Sequence, residues 1–81
     1  MEASLDETIR FCGANRVLME CTHQGVPRLV EVYSYRPGKT GMLLFVYCYK
    51  DQKIESFKIE NITHAKATTE IFTPRFPIEI T

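Results

Sequence analysis

Two hydrophobic periods divide the chain. Near the start, Leu5, Ile9 and Cys12 recur at helical spacing, i, i+4 and i+7. Ser4-Leu5-Asp6-Glu7 forms a capping box, in which the Ser4 hydroxyl accepts the Glu7 amide and Glu7 reaches back. Gly13 offers the left-handed residue that ends a helix. Together these signals predict a helix over about residues 4–12. After Asn15 the period becomes two. Arg16 to His23 puts Val17, Met19 and Cys21 on one face and Leu18, Glu20 and Thr22 on the other, the alternation of a strand. Gln24-Gly25 makes a turn, and Pro27 suits the start of a second strand, Arg28 to Tyr35. Pro37-Gly38-Lys39-Thr40-Gly41 is the clearest loop. Met42 to Tyr49 is the longest apolar run and predicts a third strand, apolar on both faces and central. Lys50-Asp51-Gln52-Lys53 closes a hairpin into Ile54 to Ile59, with Phe57 and Ile59 pointing inward. Asn61 breaks the pattern, and His64 to Glu70 makes a fifth strand of small residues. The tail, residues 71–81, keeps its apolar side chains but carries Pro74 and Pro77, which predicts an extended strap or sheet edge.

Five short antiparallel strands behind a helix predict a mainly β protein, a five-stranded SH3/Sm-like barrel over about residues 16–70 with a short N-terminal helix. Rolling the sheet up hides edges that would otherwise pair with other chains. Eighty-one residues suit a single domain, 1–81, with a thin core, and 44% hydrophobic content is that of a globular chain. Phe45 and Phe57 are expected in that core. Three cysteines, Cys12, Cys21 and Cys48, with no CxxC pair, argue against a disulfide framework and for a reducing, cytoplasmic setting. Cys21 and Cys48 lie in apolar runs, where free cysteine behaves as a small core residue. No apolar stretch approaches the roughly 18 residues of a membrane helix, so no membrane partner is expected.

Charge adds little. The formal net charge is zero, so no global field draws nucleic acid or an anionic membrane. Between Arg28 and Lys66, however, seven basic residues face four acids, while the first twenty residues carry four acids and two arginines.

Catalysis and metal binding find weak footing. Cys21, His23, Cys48 and His64 offer soft ligands, but only Cys21-x-His23 is a closely spaced pair, so no metal is expected. Nothing in the spacing joins either histidine to a cysteine nucleophile, and Gly38 and Gly41 flank Lys39-Thr40 without the full phosphate-cradling pattern. No cofactor is expected, and the chain is not read as an enzyme. The aromatic set is more suggestive. Tyr33, Tyr35, Phe45, Tyr47, Tyr49 and Phe57 fall on three neighbouring strands among basic residues, the combination that stacks bases and contacts phosphates. Strands favour aromatics for packing as well, and the tyrosine hydroxyls call for a surface or a pocket rim.

Arg28-Leu29-Val30-Glu31-Val32-Tyr33, Gly41-Met42-Leu43-Leu44-Phe45-Val46-Tyr47-Cys48 and Ser56-Phe57-Lys58-Ile59-Glu60-Asn61-Ile62 resemble, in order and spacing, the three signature strands of the WYL domain. Phe72-Thr73-Pro74-Arg75-Phe76 is similar to the segment that follows the barrel in that family. The resemblance spans about Arg16 to Phe76. The chain departs from the family at several places. Met42-Leu43-Leu44 stands for the name-giving triad, Val32 for a proline, and Glu55 and Asn61 for arginines; Arg28, Tyr33, Lys58 and Glu60 remain of the polar set. The resemblance implies an Sm/SH3-like sensing barrel of the kind found in bacterial transcription regulators, either standing alone or cut from something longer. It implies a ligand-sensing or regulatory module for a nucleotide or single-stranded nucleic acid, gripped by Arg28 and Lys58 and flanked by Tyr33 and Tyr47. The alternative is a protein-interaction barrel, bound to a regulator partner or forming a homodimer through an exposed strand or the Phe76-Pro77-Ile78 tail.

Overall fold

The computed structural model describes residues 4–80. Helix α1 spans Leu5–Asn15, and six strands follow: β1 Val17–His23, β2 Val26–Gly38, β3 Gly41–Cys48, β4 Lys53–Lys58, β5 Ile62–Ile71 and β6 Glu79–Ile80. A single 3-10 turn, Ile59–Asn61, joins β4 to β5. The sheet runs β4-β3-β2-β1-β5, antiparallel throughout, with β6 pairing parallel to β2. This is the mainly β architecture with a leading helix that the alternation predicts.

The helix starts as its cap requires. Ser4 Oγ accepts the Glu7 amide at 3.1 Å, and the Glu7 carboxylate takes the Ser4 hydroxyl rather than the Ser4 amide. It runs three residues beyond the predicted end, because the left-handed terminator is Arg16 (φ 55°), not Gly13. Gly13 serves packing instead. A Cβ there would lie 2.7 Å from Ile80 Cγ1, so the glycine lets the tail close onto the helix.

β2 is longer than predicted because Pro37 and Gly38 extend it, leaving Lys39-Thr40 as the turn that joins Gly38 to Gly41. Its residues 26–30 pair with β1, while residues 30–38 pair with β3. An irregularity between Val32 and Ser34 gives Tyr33 no partner on β3. Such a bulge bends a strand and raises its twist, which lets β2 roll the sheet. It also resets alternation: Val30 and Val32 face inward, and so does Tyr35, opposite Leu44.

The inner face is the core. Ile9 and Cys12 of α1 pack with Met19, Val30, Val32, Leu44, Val46 and Phe57, all buried. Cys21 and Cys48 are buried there as their apolar runs predicted. Phe57 is 1% exposed. Phe45 is not in this core: alternation along β3 turns Leu44, Val46 and Cys48 inward and Phe45 outward, where it is half-buried. A second cluster, Leu18, Tyr33 and Phe72 with Leu29, Tyr47, Tyr49 and Ile78 against it, covers part of the outer face. The tail supplies Phe72 and Ile78, so it is the strap expected from its prolines, ending in β6. No described helix is long and apolar enough to cross a membrane.

Candidate functional site

Pairing sets out the outer face of β2, β3 and β4 in rows. Arg36, Leu43 and Lys58 form the row nearest the Lys39-Thr40 turn; Ser34, Phe45 and Ser56 form the next; Glu31, Tyr47 and Ile54 form the last. The tail adds Arg75. Two guanidiniums lie on aromatic rings here: Arg36 is 4.8 Å from the Phe45 centroid and Arg75 is 4.2 Å from that of Tyr47. Both distances are within the range in which a cation is attracted by the ring quadrupole.

Beneath Arg75 sits a buried acid. Glu31 is 1% exposed, and its two carboxylate oxygens accept hydrogen bonds from different tyrosines, Oε1 from Tyr33 and Oε2 from Tyr49. The Arg75 Nε lies 3.4 Å from Oε1, and the Arg75 backbone N–H donates to the Tyr33 hydroxyl at 2.8 Å. A buried carboxylate is tolerated when it is both paired and hydrogen-bonded, and Glu31 is both. Burial first, and the neighbouring carboxylate among its further causes, pushes the Tyr33 hydroxyl up to about 12 and raises Tyr49 as well. Tyr33 is held between Phe72 and Phe76, its ring edge-on to both at 5.8 and 5.4 Å. Tyr47 and Tyr49 meet edge to face at 5.6 Å. Beside this network a recess of about 500 Å³ opens, floored by Leu18 and Leu29 and walled by Phe72 and Arg75.

The four residues singled out from the sequence therefore separate. Tyr33 and Tyr47 belong to this outer-face cluster, Tyr33 buried and Tyr47 half-buried. Lys58 is exposed on the same face, but in the row opposite Leu43. That row lies four positions along β3 from Tyr47, roughly 13 Å at the usual rise. Arg28 is elsewhere. It pairs with Cys21 and shares the inner face with Val30, at the end of the core. There its Nη1 lies 2.7 Å from Asp51, 3.6 Å from Glu55 and 3.4 Å from Cys48 Sγ. The guanidinium holds the Asp51 carboxyl below its usual range. Burial, then Arg28, lowers His23, whose ring stacks on Phe57 at 3.9 Å.

Cys48, Asp51 and Glu55 bring ligand atoms within 4.8 Å of one another, a spacing that would suit a metal ion. The Arg28 guanidinium reaches all three, so that donor set already faces a cation. The soft-ligand set weighed from the sequence is split, since His64 pairs with Thr22 on the outer face while Cys21 and Cys48 face the core.

Sequence reasoning missed Glu31, Arg36 and Arg75 as parts of one surface. Glu31 falls on an outward position of an alternating strand, where an acid is ordinary. Only the tail crossing above makes it buried, and no local signal announces that crossing. The tyrosines at 33 and 49 were the available hint, because a tyrosine hydroxyl shielded from water needs an acceptor.

No family model matches the chain, and no curated protein matches it. Among solved structures, proteasome accessory factor B/C (PafBC) of Arthrobacter aurescens shares its fold, with a TM-score of 0.73 at 9% identity. The match covers 98% of this chain and 15% of that one, so the chain corresponds to a small part of a much longer protein. At that identity the likeness is one of fold.

Proposed function

We propose that the chain is a regulatory binding module that takes a nucleotide or a short single strand on the outer face of β2, β3 and β4. The observation that carries this reading is the interleaving there of Arg36, Lys58 and Arg75 with Phe45 and Tyr47. Bases stack on aromatic rings and on guanidinium planes alike, and guanidinium N–H groups suit phosphate oxygens. The WYL resemblance supports a sensing role, and the fold shared with part of a proteasome accessory factor fits a module within a regulator. Relative to the sequence expectation, the cationic grip moves from Arg28, which serves Asp51 and Glu55, to Arg36 and Arg75. Cys12 and Cys21 do not suit a nucleophile's role: both are buried, and burial pushes both thiols up to about 11.

Titration with a short oligonucleotide, followed by amide shift mapping at low and moderate salt, tests this reading. Shifts should centre on Phe45, Tyr47 and Lys58, and affinity should fall as salt rises, by a log–log slope of about −0.7 per phosphate contact. Arg36→Ala and Lys58→Ala should weaken binding and flatten that slope with the fold intact. Loss of binding in Arg28→Ala alone would move the contact to the inner end of β2. A second reading, a protein partner, is favoured by the exposure of Ile54 (43%) and Phe76 (48%) beside the same cluster. Salt-insensitive self-association, seen as mass that rises with concentration, would select it.

A further inference from the structure

Glu31, Tyr47 and Tyr49 make a pocket that demands a cation. The carboxylate is buried, and both its oxygens are already engaged by hydroxyl donors, so the hydrogen-bonding need is met while the charge is not. Hydroxyl donors bring no net charge. Among the described residues only Arg75 does, lying 3.4 Å from the carboxylate and 4.2 Å from the centroid of the Tyr47 ring. Carboxylate behind and aromatic ring beneath select a flat, weakly hydrated cation, which a guanidinium is and an ammonium is less.

The way Arg75 is delivered matters as much as the cage. It comes on Thr73-Pro74-Arg75-Phe76-Pro77, a stretch that bends at Arg75 and Phe76 between its two prolines, and its side chain is 48% exposed. This stretch is held mainly through its side chains. Its one described backbone anchor is the Arg75 amide on the Tyr33 hydroxyl, and Phe76 lies edge-on to the same ring. On one side of it Phe72 is fixed independently, buried at 6% with its amide on the Arg16 carbonyl. No residue of 73–77 belongs to the inner core cluster, so the core does not rest on this stretch. The Arg75 contacts to Glu31 and Tyr47 and the Phe76 contact to Tyr33 could be made by another segment carrying an arginine next to an aromatic residue at such a bend.

We infer that Glu31, Tyr47 and Tyr49 form a receptor for an arginine side chain presented by a segment of another polypeptide, and that Arg75 is the chain's own occupant of that receptor. An arginine-bearing peptide is a different class of ligand from a nucleic acid, and the cage would stand even if oligonucleotides failed to bind.

Emptying the cage tests it directly. Arg75→Ala is titrated with methylguanidinium, methylammonium and urea, with side-chain and amide shifts of Tyr47 and Tyr49 as the readout. Saturable shifts with methylguanidinium are expected, at least tenfold weaker with methylammonium and none with urea. In Glu31→Gln/Arg75→Ala the methylguanidinium response should weaken at least tenfold. Equal responses to methylguanidinium and urea, or no saturable response in a folded Arg75→Ala, would overturn the assignment. Should Arg75→Ala fail to fold, the unaltered chain is titrated with the blocked peptide Phe-Thr-Pro-Arg-Phe-Pro. Displacement should then shift the amides of residues 73–77, while the same peptide with alanine for arginine should not. Displacement by neither peptide would overturn the assignment as well. Failure of the oligonucleotide titration leaves these outcomes untouched, so the two ligand classes are judged separately.

Discussion

On the inner side of β2, Val30 and Val32 are closed over by Ile9, Met19, Leu44, Val46 and Phe57, with apolar atoms on every side. On its outer side, one residue away, Glu31 is as deeply buried as its neighbours but is surrounded by two tyrosine hydroxyls and a guanidinium. The inner face needs only volume and apolarity, and any side chain of the right shape serves. The outer face needs particular donors and a particular charge, because an unpaired group there costs its full desolvation. One sheet thus carries stability on one side and selectivity on the other, and the tail is what converts a solvated strand face into a chemical site.

The sharpest way to break the inner face is Phe57→Ala. Removing a buried phenylalanine costs about 3–5 kcal/mol, a large part of the 5–15 kcal/mol typical of a whole domain, so the variant should be largely unfolded in a urea melt. A midpoint near that of the unaltered chain would show that the inner cluster is not what holds the sheet. On the outer face, Glu31→Ala should cost about 2–3 kcal/mol by leaving two tyrosine hydroxyls without their acceptor. Hydrogen exchange should then quicken over residues 72–80 while the inner strands keep their protection. Uniform loss of protection would mean that the two faces are a single unit.

The faces also differ in what alkali does to them. Cys12 and Cys21 on the inner face have thiols raised by burial from 9.0 to about 11. A group raised on folding stabilises the fold fully below its unfolded value. That contribution is lost as pH rises through the folded value, here between about 9 and 11. Thermal melts should lose about 3 kcal/mol in all by pH 10, in proportion to these shifts. Cys12→Ala/Cys21→Ala should remove most of that loss and leave the share due to Tyr33 on the outer face, itself raised from 10.0 to about 12. A melt curve flat to pH 11 would show that the thiols are reached by water. The smallest effect is expected at Lys58, an exposed side chain, where Lys58→Ala should change stability by no more than about 0.5 kcal/mol in the same melts.

Much of this molecule was legible in its alternation. The period-two pattern from Val17 onward gives the strands, and Val17, Met19 and Cys21 do share the inner face. Ser4 caps the helix as its spacing to Glu7 requires. What escaped has a common physical source, because it depends on groups distant along the chain. Gly13 looks like a helix terminator until Ile80 is seen against it. Phe45 looks like core until its neighbours claim the inner face and leave it the outer one. Arg28 and Lys58 sit on strands that the sequence places correctly, yet on opposite faces of the sheet, and Glu31 becomes a buried charge only when residues 72–80 cross it. Local pattern fixes which way a side chain points, and it is silent about what arrives on top.

The unpaired Tyr33 gives β2 a peculiar genetic property. Along a regular strand, losing one codon turns every later side chain to the wrong side, so the length of the strand is fixed by its neighbours. At the bulge this coupling is absent. Val32 stands opposite Val46 and Ser34 opposite Phe45, with Tyr33 looped between them, so excising it would close the ladder and leave Tyr35 still facing Leu44. The residue that joins Glu31 to the Arg75 backbone is therefore one whose removal would take away both hydrogen bonds while the core beneath keeps its register.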